Sequence, residues 1–230
     1  MESAHSIRFL YRHFLSGITE KSLNAFYYAC SYAKADYSKF MNVTASVALK
    51  LIPDILRSQP VFLCIDDTMV SKFGKKFEHV SKIFDHAAHN GSNNLNRHCF
   101  VSLMLCIPVW RNQQIVYLAV PLGYRMWKKE ISKLNLAASM VRQVMPCFSF
   151  CKNVIILCDS WYAKKDLVCV VDEYKNLDII CNARSDSVIY DLTPPPTGKR
   201  GRPAKHGRHL SLEEDFVLSA EKIGDYYLGV

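Results

Sequence analysis

VFLCIDD, residues 61–67, runs five apolar residues into two aspartates. A short run rich in Val, Phe and Ile reads as a strand buried on both faces. Carboxylates at the end of such a strand stand where a sheet opens to solvent. VIILCD, residues 154–159, repeats the device. Two strands of this kind bring carboxylates to one edge of a sheet. Clustered carboxylates repel one another and raise one another's pKa unless a cation lies between them. Hard divalent ions such as Mg²⁺ prefer oxygen ligands of this type.

Working outward, Phe100–Trp110 and Gln114–Arg125 are two apolar runs joined by the polar turn Arg111-Asn112-Gln113. They read as an antiparallel hairpin, with Pro108 and Pro121 marking bulges or ends. Glu130–Met145 carries Ile131, Leu134, Ala138, Val141 and Met145 at helical spacing, closed by Pro146. Ala163–Tyr174 reads as a further helix with Leu167, Val170 and Val171 inward, and Leu177–Ala183 as a strand. A helix crossing between strands makes them parallel neighbours in one sheet. The class is therefore α/β. The element order resembles the ribonuclease H-like mixed sheet (β-β-β-α-β-α-β). That likeness implies that the first and fourth strands are adjacent and deliver their carboxylates to one metal site.

Residues 1–58 read as a helical segment, either a DNA-binding domain or a cap on the next domain. Thr19 and Asn42 are its candidate N-caps and Pro53 its stop. Residues 59–190 form the expected catalytic core. Residues 191–210 are a basic Pro/Gly-rich loop, and 211–230 begin an incomplete C-terminal part. There Ser211–Glu221 reads as a short helix with a Ser211/Glu214 capping box, and Tyr226–Val230 as the start of a strand.

The chain's 230 residues carry 29 Lys and Arg against 21 Asp and Glu, a formal charge of +8 that favours a polyanionic partner such as nucleic acid. Lys72, Lys75, Lys76 and Lys82 follow the first aspartates. Lys199, Arg200, Arg202, Lys205 and Arg208 form an acid-free run in which Arg200-Gly201-Arg202-Pro203 reads as a minor-groove hook. The alternative is a solvated basic loop. Most of the nine cysteines lie inside apolar runs, as reduced buried thiols do. Cys147 and Cys151 lack a second pair, and His86 and His89 lack a third ligand, so neither reads as a zinc site. No leader and no span long enough for a bilayer is legible, which points to the cytoplasm and no membrane partner.

IDDT at residues 65–68, KFGKKFE at 72–78, CDSWYA at 158–163, ARSD at 183–186 and KRGRPAKHG at 199–207 together resemble the DDE transposases of bacterial insertion sequences. The resemblance implies an Asp, Asp, Glu triad using Mg²⁺ or Mn²⁺, double-stranded DNA as element ends and target, and a dimer on DNA. It implies an endonuclease that performs DNA transposition and recombination by two-metal phosphoryl transfer. Asp67 matches the first position, with Asp66 as its rival because strand alternation lets one of the two face the site. Asp159 matches the second. Glu213, Glu214 and Glu221 match the third by position only. The chain is expected to stop before the true third ligand, hence to bind DNA without cleaving it. The alternatives are a truncated, non-catalytic DNA-binding relic and another ribonuclease H-like nuclease.

Overall fold

β1 (Val61–Ser71) turns the apolar run into an alternation. Val61, Leu63 and Ile65 are buried, while Phe62 and Cys64 on the opposite face are half-buried. The expectation of burial on both faces is corrected accordingly, because helices cover one face and the other is only partly sheltered. The computed structural model describes residues 6–32, 34, 37–71, 77–84, 94–183, 187–195, 198, 204–211, 214–223 and 226–229.

The main sheet runs β2 (Ser81–Phe84), β3 (Asn94–Arg111), β1, β5 (Val154–Cys158), β6 (Leu177–Cys181), with β4 (Gln114–Met126) also paired to β3. β1 is antiparallel to β3 and parallel to β5, in register from Val61 with Val154 to Ile65 with Cys158. The two strands are thus neighbours pointing the same way, but β1 does not end at its aspartates as expected: Thr68–Ser71 continue it in pairing with β3. The mixed α/β class holds, and β2 has no counterpart in the sequence reading.

The β3–β4 hairpin closes through Asn112 (φ 51°) and Gln113 (φ 63°). Two left-handed residues match the twist of the flanking strands, so the turn is one residue tighter than expected. The ladder slips between Leu103, opposite Gly123, and Met104, opposite Pro121. Pro121 therefore stands at a bulge, whereas Pro108 pairs regularly with Tyr117.

Among the described residues the α-helices are α1 (Ile7–His13), α2 (Leu23–Tyr32), α3 (Tyr37–Lys50), α4 (Lys133–Val144) and α5 (Lys165–Val168). Ser22, not Thr19, serves the start of α2, its hydroxyl accepting from the Ala25 N–H at 3.4 Å. Asn42 lies inside α3 rather than capping it. α3 buries Met41, Ala45, Ala48 and Leu49 against β4 and α4. It comes so close at Gly123 that a Cβ there would sit 2.9 Å from Met41 Cγ. The core therefore draws on residues from both sides of position 58.

α4 starts where Ser132 Oγ accepts from the Asn135 N–H at 3.0 Å. Leu134, Ala138 and Val141 form its buried stripe, and Met145 joins them from the 3-10 turn that holds Pro146. Ile131 lies before the helix and is exposed. α5 spans four residues instead of the expected twelve-residue stretch 163–174. The β-branched Val168, Val170 and Val171 lower helix propensity there, and a 3-10 turn, Val171–Glu173, follows. Leu167 and Val170 are nevertheless buried, as their spacing implied.

β7 (Ile189–Tyr190) pairs with β8 (His209–Leu210), and β9 (Leu218–Ile223) with β10 (Tyr226–Gly229). The expected helix at 211–221 is corrected. Asp215 turns back to accept the Ser211 N–H at 2.7 Å, and an extended strand starts at Leu218. The strand expected from Tyr226 is present. Among the described residues no helix is long and apolar enough to cross a membrane.

Candidate active site

Parity along β1 separates the two adjacent aspartates. Asp67 shares the helix-covered face with Val61, Leu63 and Ile65, and Asp66 takes the other face and is exposed. Asp67 Oδ2 lies 2.9 Å from Lys133 Nζ, with the two side chains 15% and 17% exposed. At that burial the pair is poorly screened and worth more than a surface ion pair. The Cys99 thiol donates to the same oxygen at 3.3 Å, and the Tyr162 hydroxyl donates to Oδ1 at 3.4 Å. Burial, then the Asp67 charge, pushes the Cys99 thiol up to about 12, and the same causes push the Tyr162 hydroxyl far above its ordinary range. Both are protonated donors at neutral pH.

Asp159 follows β5 directly. Its Oδ1 accepts the backbone N–H groups of Trp161 (3.0 Å) and Tyr162 (3.3 Å), so the carboxylate ties down its own turn. Tyr162, fully buried, therefore touches both candidate carboxylates, one through its N–H and one through its hydroxyl. Trp161 lies under two ammonium groups, Lys133 Nζ at 4.3 Å and Lys164 Nζ at 4.6 Å from the ring centroid. Arg125 of β4 anchors α4 to the sheet by donating to Ser139 Oγ at 2.7 Å and to Gln143 Oε1.

Asp66 and Asp67 thus lie within β1, on opposite faces and just past its pairing with β5, and Asp159 follows the end of β5. Other expected residues lie elsewhere. Glu214 is exposed in a turn, and Glu221 is on strand β9 rather than on a helix. Arg208 pairs with Asp215 at 2.6 Å, and the Lys205 carbonyl accepts from the Thr193 hydroxyl. Lys72, Lys75, Lys76, Lys199, Arg200, Arg202, Glu213, His86 and His89 lie outside the described residues. Cys147 is half-buried and turns its thiol to the Asn42 carbonyl. Lys133, Tyr162 and Cys99 escaped the sequence reading. Tyr162 stood inside the quoted CDSWYA, whereas nothing near Lys133 or Cys99 marks them.

Asp66, Asp67 and Asp159 offer oxygen donors only, the kind a hard divalent cation takes. Asp66 Oδ1 receives the Asp67 N–H at 2.7 Å, and Asp159 engages only Oδ1. Each keeps one oxygen without a partner among the described residues. Asp67, by contrast, already faces an ammonium. No group of three or more His, Cys, Asp or Glu side chains close enough to hold a metal occurs among the described residues. The donors fit a hard cation in kind and fall short of a full ligand set in number.

No curated protein and no solved structure matches the chain. A family model described as DDE superfamily endonuclease matches residues 39–222, from within α3 to within β9, and so takes in all three aspartates. The chain belongs to the DDE superfamily endonucleases.

Proposed function

We propose that this endonuclease-family chain is the DNA-cleaving and strand-joining part of an insertion-sequence transposase, built on a ribonuclease H-like sheet. The observation that supports the reading is the parallel pairing of β1 with β5, which makes the strand containing Asp66 and Asp67 the neighbour of the strand that Asp159 follows. Asp67 and Asp159 are the catalytic pair; Asp66, which strand parity puts on the other face of β1, is left out of it. Mg²⁺ or Mn²⁺ held by these carboxylates would activate the attacking oxygen and steady the leaving one.

The chain's own groups do the remaining work. Lys133 and Lys164 supply positive potential beside the carboxylates, where a DNA phosphate must come. Tyr162 fixes the spacing of the two strand ends from inside the core. Lys72, Lys75, Lys76 and the loop residues Lys199, Arg200, Arg202, Lys205 and Arg208 extend the phosphate contacts, with Arg208 first leaving Asp215. The DNA is double-stranded, and paired element ends call for two copies of the chain. A second reading, DNA binding without turnover, is favoured by the lack of a third carboxylate near Asp67 and Asp159 among the described residues.

Both readings require duplex binding, and the metal separates them. Fluorescence anisotropy with a labelled duplex is expected to show several-fold tighter binding in Mn²⁺ than in EDTA. Asp159→Asn keeps the binding seen in EDTA and loses that increment. DNA affinity indifferent both to Mn²⁺ and to Asp159→Asn would overturn the metal-dependent reading and leave the second.

A further inference from the structure

Lys133 is an unexpected residue at its position. It is the first residue of α4, where the helix macrodipole is positive and a lysine is disfavoured. The first turn contains no acidic residue to offset it. Its side chain is 83% shielded from solvent, which costs an ammonium much of its hydration. Two contacts compensate: Asp67 Oδ2 at 2.9 Å and the Trp161 ring at 4.3 Å. From the other side, Asp67 is the one aspartate of the three whose two oxygens both have side-chain partners. A divalent ion coordinated to Asp67 would lie about 2.0–2.2 Å from a carboxylate oxygen. An ammonium at 2.9 Å from Oδ2 occupies the approach to that oxygen and repels the incoming charge.

We propose that Lys133 is the resident counter-ion of Asp67, a positioning residue that competes with the divalent cation for this carboxylate. The inference rests on the reading that Asp67 helps to hold a metal. Without metal, Lys133 keeps Asp67 oriented and in place. When a cation arrives, the ammonium gives up Asp67 and keeps Trp161, its second partner, so it stays at the site as a free positive charge. The ion pair thereby sets how much divalent cation the site needs before it fills.

The test measures Mn²⁺ binding to the full chain by the loss of the free-ion EPR signal, for wild type, Lys133→Met and Lys133→Gln. The glutamine keeps a hydrogen-bond donor should the methionine variant fail to fold. Removing one positive charge beside a dication is expected to tighten Mn²⁺ binding by roughly tenfold or more. The same variants should melt lower than wild type in EDTA and regain more on adding Mn²⁺. A residue needed only for structure would weaken metal binding when replaced, so the sign of the change is diagnostic. Equal or weaker Mn²⁺ affinity in the Lys133 variants, with binding still lost in Asp67→Asn and Asp159→Asn, overturns the competition and leaves the metal site standing. Binding that ignores the aspartate substitutions, or that is absent from every form, overturns both.

Discussion

Within β1, just past its pairing with β5, Asp67 is held by side chains from three other places in the chain: Lys133, Cys99 and Tyr162. At the end of β5, Asp159 is held by two backbone N–H groups of the turn it begins. The first carboxylate is placed only when the sheet, α4 and the 160–162 turn have assembled around it. The second is placed by its immediate neighbours. Two aspartates that look alike in sequence therefore differ in what they cost the fold and in what can displace them. Asp67 Oδ2 already faces an ammonium, while Asp159 keeps an oxygen with no partner among the described residues.

The largest effect that could break this comparison is at Asp67. Asp67→Ala leaves the Lys133 ammonium shielded and without its carboxylate, and is expected to cost about 2–4 kcal/mol in urea unfolding. Asp67→Asn combined with Lys133→Met should recover most of that. If Asp67→Ala cost no more than Asp159→Ala, the asymmetry between the two strand ends would be wrong.

The next effect sharpens the comparison through pH. Cys99 has its pKa raised from the ordinary 9.0 to about 12 by burial and by Asp67. A raised folded value means that the unfolded chain releases this proton first. The associated stability is full below pH 9 and is lost as pH climbs from 9 to about 12. The unfolding free energy of Cys99→Ala from urea titrations should therefore fall less steeply over that window than that of wild type, by roughly 1–2 kcal/mol at its upper end. Parallel curves would mean that the thiol does not sense Asp67.

The smallest effect is at the other strand end. Asp159→Ala removes a local cap of the kind worth about 1 kcal/mol, whereas Asp159→Asn keeps an acceptor for the same N–H groups and should be nearly neutral. Thermal melts in EDTA of the two variants side by side check this. A large loss in the asparagine variant would show that the charge of Asp159, and not only its geometry, holds the turn.

What was legible in the sequence was what neighbouring residues encode. The apolar runs ending in Asp67 and Asp159, the hairpin around Asn112 and the stripe of α4 all announce themselves within a few positions. The Lys133–Asp67 pair does not, because its partners are 66 residues apart, and the Tyr162–Asp67 contact spans 95. The parity separating Asp66 from Asp67 was readable, but which face the helices cover was not. The expected helix at 163–174 is shortened to α5 and a 3-10 turn, and the one at 211–221 is replaced by a turn and a strand, for a related reason. In each, a few apolar positions fit a helical period, while valines in the first and a side-chain turn at Asp215 in the second favour other backbones.

The register of the sheet also implies an order of events. The β3–β4 hairpin closes through two residues, and each pair along it forms beside one already made. Such hairpins form in microseconds. The β1–β5 pairing joins Val61 to Val154, on the order of ninety residues away, and must close a loop of that size before any contact rewards it. Asp67 and Asp159 lie across that late pairing. A nascent or partly unfolded chain therefore carries its hairpin intact while its carboxylates are still apart, and only the finished fold brings them onto neighbouring strands.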